Sequence, residues 1–129
     1  MIHKVTQFKY HKAWGMLLIR VAAGLVFLNH GWMKLNSLAG AENFFHGLGL
    51  PAGAATFVAV LEVVGGLMLI LGIAPRLAGL LLGIQMVVAL VLVNIPRGSY
   101  ELELMLAASC FAIFMVGGGR LALYSMERD

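Results

Sequence analysis

This sequence predicts an all-α integral membrane protein, an antiparallel four-helix bundle, and three observations predict it. Hydrophobic residues make up 61% of the chain and charged ones 12%, and the mean hydropathy of +0.94 lies far outside soluble-domain composition. Four apolar stretches, residues 13–30, 52–73, 77–95 and 102–116, approach the length needed to cross a bilayer and are separated by short polar connections. Lys and Arg flank those stretches unevenly. With 129 residues, the chain holds about four spans and no soluble catalytic domain, so one transmembrane domain covers residues 1–129.

The first stretch follows Lys4, Lys9 and Lys12. A basic start before an apolar run outlines a signal peptide, and Ala39-Gly40-Ala41 resembles a cleavage site. The run is too long for that, contains Arg20, and is separated from the small residues by Asn29, His30 and Lys34. It is expected to stay in the mature protein. In the connection that follows, Phe44, Phe45 and Leu48 lie opposite Glu42, Asn43 and His46 at helical spacing. This fits a short interfacial helix anchored by Trp32, or equally a loop packed over the mouth of the bundle. Pro51 and Pro75 suit first-turn positions of the second and third spans, and Pro96 closes the third. The fourth stretch is short and should extend through Glu101 or toward Leu123, unless Gly117, Gly118 and Gly119 end it.

Orientation follows the positive flanks. Lys4, Lys9, Lys12, Arg76, Arg120 and Arg128 fall on one side, against Lys34 and Arg97 on the other, which places both termini in the cytoplasm. That asymmetry accounts for the net charge of +3. No basic stripe interleaved with aromatics points to nucleic acid.

Two charges stand inside apolar segments, Arg20 in the first span and Glu62 in the second. A lone ion at mid-bilayer costs roughly 2.5–3.5 kcal/mol on insertion scales, so each needs a partner or a role. A direct Arg20–Glu62 ion pair is the expectation, either as a register device alone or as a proton- or ligand-handling site. His30, Lys34, Glu101 and Glu103 gather toward the outer end, and only one of the two glutamates, about 200° apart on a helix, can face inward. Gln85, mid-span, is read as an interhelical hydrogen-bonding residue. Gly24, one turn from Arg20, and Gly65 and Gly66, one turn from Glu62, mark faces where helices approach closely, as does the pair Gly79 and Gly83. Cys110 is the single cysteine, which excludes an intramolecular disulfide and reads as packing. The methionines read as gap fillers. No metal site is expected, because Cys or His at ligand spacing is missing, and no nucleotide-binding loop or hydrolase motif occurs.

Taken together, Ile19-Arg20, Asn29-His30-Gly31 with Lys34, Phe45 followed by Leu48-Gly49-Leu50-Pro51, Glu62-Val63-Val64-Gly65-Gly66, Leu71-Gly72, Arg76, Tyr100-Glu101 and Gly117-Gly118-Gly119-Arg120 resemble the DoxX family of small bacterial membrane proteins. One departure is Leu121-Ala122-Leu123-Tyr124, where that family often shows Ser-Leu-Asp. The resemblance implies a multi-pass protein of the bacterial inner membrane. It also implies a quinone-linked, redox-associated subunit without a self-contained catalytic site, with quinone as the group bound and Arg20, His30, Lys34, Glu62 and Glu101 as the matching polar positions. A small-solute or proton transporter is the alternative, working as a homo-oligomer through Gly79 and Gly83, and a membrane scaffold for soluble redox partner proteins is a third.

Overall fold

The computed structural model describes residues 2–119, with side chains from residue 12 onward. Lys4, Lys9, Arg120, Arg128 and the segment Leu121 to Tyr124 lie outside the described side chains. The described residues are helical and contain no strands. They form α1 (Ile2–Asn36), α2 (Leu38–Gly47), α3 (Ala54–Leu71), α4 (Pro75–Ala89), a π-helical turn (Leu90–Asn94), α5 (Ile95–Arg97) and α6 (Glu101–Val116).

Three helical stretches are long and apolar enough to cross a membrane: Lys12–Asn36, Ala54–Leu71 and Pro75–Arg97. The 16 residues of α6 are apolar but shorter than that length. The outward surfaces are oily. Trp14, Phe57 and Met105 are each more than 60% exposed, as suits side chains that meet lipid. Phe27, Leu69, Leu82, Cys110 and Ile113 are completely buried and form the centre of the core.

Glycines set the helix spacing. A Cβ on Gly24 would stand 2.6 Å from the Gly66 carbonyl oxygen, and one on Gly66 would stand 2.7 Å from that of Gly24, so α1 and α3 touch backbone to backbone. Two turns further on, a Cβ on Gly31 would lie 2.8 Å from Ala59 O. Because later residues of α1 meet earlier residues of α3, the two helices are antiparallel. Gly79 and Gly83 do the same for α4 and α6, against the Cys110 carbonyl and the Phe111 ring. These two helix-packing glycines, which the transporter alternative would use between copies, here face α6.

Element ends differ from the sequence reading in three places. First, α1 runs six residues beyond His30, with no proline before Ser37 to stop it, and it carries Lys34 on its last turn. Second, Pro51 lies ahead of α3 rather than in its first turn, and Gly53 at φ 88° is the residue that opens the helix. Third, Pro96 does not close the third span. Lacking an N–H and crowding the carbonyl four residues back, it is accommodated by a widened turn in which the Ile95 amide reaches Leu90 O, and the helix continues to Arg97. Pro75 is the first residue of α4, as expected, and α6 starts at Glu101 and ends at Gly117, φ 95°.

Candidate ligand cavity

The register that the glycines impose decides which charges meet. Val63, adjacent to Glu62, packs on Gly31, which places the carboxylate one helical turn from Lys34 but eleven residues, about 16 Å of rise, from Arg20. Lys34 Nζ donates to Glu62 Oε1 at 2.6 Å. The expected Arg20–Glu62 pair is thus corrected: each charge is buried, Arg20 at 0% and Glu62 at 1% exposure, but on different levels. Arg20 Nη1 donates to the Leu69 carbonyl oxygen at 3.3 Å, on the turn where α3 ends. The depth difference exceeds what the two side chains span because the register set by Gly24 on Gly66 and Gly31 on Ala59 holds Glu62 level with the end of α1 rather than with Arg20.

Around the Lys34–Glu62 pair lies a cavity of about 200 Å³. His30 and Lys34 of α1, Glu62 of α3, Gln85 of α4 and Glu103 of α6 supply its polar groups. Phe44 and Phe45 of α2 roof it. Its side wall is aliphatic and comes from α4 and the widened turn, where Val88 and Leu92 are also exposed on the outer surface. The cavity therefore borders the lipid-facing side of the molecule. On its other flank, His30 and Lys34 also line a second, more open groove, together with Asn36 and Ser37. Of the ion pair, Lys34 lines both and Glu62 only the cavity.

Within this cavity Glu62 Oε2 and Gln85 Oε1 are buried and have no hydrogen-bond partner. Native interiors seldom leave such acceptors unsatisfied, and they cluster where a ligand or water is received. Asn94, half-buried at the end of the widened turn, donates from its amide to Ser99 O at 3.0 Å and lines the same cavity.

The roof is fastened at two points. Glu42 of α2 accepts from the Gly53 amide (3.2 Å) through Oε2, and from the Thr56 amide and hydroxyl (3.2 Å each) through Oε1. These are free donors of the first turn of α3, which a carboxylate suits electrostatically. The Gly53 amide holds the Glu42 carboxyl below its ordinary range, with Thr56 adding to the effect against the desolvation that opposes it. At the opposite side, the Arg97 guanidinium sits 4.9 Å above the Phe44 ring.

Of the residues marked out in the sequence, His30, Lys34, Glu62 and Gln85 come together at the cavity, whereas Arg20 lies elsewhere and Glu101 is exposed. Glu103 is the member of the glutamate pair that lines the cavity. Gly24, Gly65, Gly66, Gly79 and Gly83 all lie in helix contacts. The reading missed Gly31 as a contact glycine and Asn94 as a cavity residue. Gly31 had a signal in its spacing, three residues before Lys34, much as Gly24 lies four after Arg20. Asn94 had none, since the widened turn in which it lies depends on how Pro96 is accommodated. No group of three or more metal-ligating side chains occurs among the described residues.

The DoxX family pattern matches residues 15–95, which covers α1 from residue 15 onward, α2, α3, α4 and the widened turn. The chain belongs to the DoxX family and is a membrane protein of that family. It is 31% identical over 112 residues to a Bacillus subtilis (strain 168) protein named Putative oxidoreductase CatD, with 84% of each chain covered. It is 30% identical over 66 residues to an Escherichia coli (strain K12) protein named Inner membrane protein YqjF, with 51% of each covered. No solved structure matches the chain.

Proposed function

We propose that this protein is a multi-pass inner-membrane component of a quinone-linked redox system, whose cavity receives the ring head of a lipid-soluble quinone or quinol. In this reading α6 completes a fourth crossing, α2 lies at the outer interface, and both termini face the cytoplasm, with Lys12 and Arg76 at that end and Lys34 and Arg97 at the other. On the same reading a soluble redox partner supplies the electron chemistry, since Cys110 is the single cysteine of the sequence and forms no dithiol with another.

The observation that carries the proposal is the buried, half-satisfied Glu62 carboxylate in an aliphatic cavity bordering lipid. A quinone-type ring is flat and apolar with two polar positions, and the cavity presents two aromatic rings, aliphatic walls and two convergent acceptors. When bound, such a head supplies two-electron, two-proton redox capacity. The chain's own residues bind it, shield it from water beneath α2, and place a carboxylate and His30 where protons are exchanged. The relative named as an oxidoreductase agrees with this reading.

The test is equilibrium binding of a short-tailed benzoquinone and its quinol to the full chain in lipid nanodiscs. Saturable one-site binding that is lost on filling the cavity with Ala89→Trp supports the proposal. Absence of binding by both forms refutes it.

One observation favours a second reading. His30 and Lys34 are shared by the cavity and the open groove, which is the arrangement of a gated path for protons or a small solute. Flux into liposomes without any electron donor would support that reading.

A further inference from the structure

The buried, unsatisfied atoms that line the cavity are one-sided in polarity. Both buried orphan atoms that line it, Glu62 Oε2 and Gln85 Oε1, are acceptors. Of the neighbouring donors, Lys34 Nζ gives one N–H to Glu62 Oε1 at 2.6 Å and Asn94 Nδ2 gives one to Ser99 O at 3.0 Å, and neither nitrogen is a buried unsatisfied atom. Glu62 is 1% exposed, so its second oxygen receives no bulk water to compensate. An occupant that brings hydroxyl donors satisfies these atoms, whereas one that brings carbonyl oxygens sets lone pair against lone pair. Hydrogen bonds to an ionised acceptor are also about twice as strong as neutral ones.

We infer that the cavity selects the reduced, dihydroxy form of its ring ligand over the oxidised, dicarbonyl form, with Glu62 Oε2 and Gln85 Oε1 accepting from the ligand's hydroxyls. This rests on the reading that the cavity takes a quinone-type head. The selection concerns binding alone, and it has a thermodynamic consequence. Tighter binding of the reduced form raises the midpoint potential of the bound couple, by about 30 mV for each tenfold preference in a two-electron couple.

The experiment titrates nanodisc-reconstituted protein, under anoxic conditions, with a short-tailed benzoquinone and separately with its chemically reduced quinol. The quinol is expected to bind about tenfold more tightly. Gln85→Leu, which removes one acceptor, should bring the two dissociation constants together by weakening the quinol and leaving the quinone within about twofold. The double variant Glu62→Leu with Lys34→Met removes the second acceptor without leaving a buried charge unpartnered, and it should also lose the preference if Gln85→Leu fails to accumulate. Equal or tighter quinone binding by the wild type overturns the inference while leaving the cavity reading intact. Binding of neither form overturns both.

Discussion

Lys34 Nζ stands 2.6 Å from Glu62 Oε1, and this pair, rather than one between Glu62 and Arg20, neutralises the carboxylate in the middle of α3. The partners differ in exposure, 26% for the lysine side chain and 1% for the glutamate. Removing the lysine leaves a charge that cannot reach water. Lys34→Met is expected to destabilise the protein by about 3–5 kcal/mol, and adding Glu62→Leu should restore most of that loss, since an apolar pair replaces the ion pair nearly neutrally. Thermal unfolding in detergent compares the three proteins; a double variant no more stable than Lys34→Met would refute the argument.

The α1–α3 seam leaves no room for a side chain. Gly66→Ala puts a Cβ 2.7 Å from the Gly24 carbonyl oxygen, and the obstacle is backbone. A loss of about 1–3 kcal/mol follows from overpacking. Gly40→Ala is the control: nothing lies within 4 Å of a Cβ there, and the residue is helical, so stability should hold or rise slightly. Equal Tm values for both variants would contradict the seam.

Acid should loosen the roof. The Glu42 carboxyl is held below its unfolded value by the Gly53 amide first and by Thr56. A group with a depressed folded pKa contributes stability above its unfolded pKa and loses it as pH falls through the folded one. The α2–α3 clasp is therefore intact at neutral pH and released below the ordinary carboxylate range, about pH 4. Amide exchange at Gly53 and Thr56 reads this directly, and Glu42→Gln should abolish the pH dependence.

At the other fastening, Arg97→Ala removes the cation over the Phe44 ring. Such contacts contribute about 0.5–1 kcal/mol at exposed sites. Global unfolding should barely change, while protection of the α2 amides falls. Unaltered exchange in α2 would show that the contact does not hold the roof.

Cys110 is fully buried in the core between α4 and α6. A polar maleimide should leave it unlabelled in the native protein and label it on denaturation. Gly79→Leu, which drives a side chain into the Cys110 carbonyl, should speed native labelling by separating α4 from α6.

Much of this architecture could be read from the residues in order. Apolar length located the helices, and glycines one turn from Arg20 and Glu62 marked the faces that touch, because only glycine allows backbones to meet at such spacing. The α2 segment was legible as a choice between helix and loop from the placement of Phe44 and Phe45. Exit signals were less reliable. Pro96 looked like a terminator, but a single widened turn absorbs the missing N–H and the ring, and local sequence does not distinguish that outcome from a break.

The sequence by itself determined that this chain is an apolar helical membrane protein carrying two buried charges of opposite sign, since hydropathy and the cost of ions in lipid depend on composition alone. It did not determine which groups meet. That choice belongs to the tertiary structure, because the Gly24–Gly66 and Gly31–Ala59 approaches fix the sliding register of α1 on α3. A shift of a few residues would exchange the partners of Glu62. In the register that forms, the carboxylate meets Lys34 and Arg20 lies about 16 Å away along the helix.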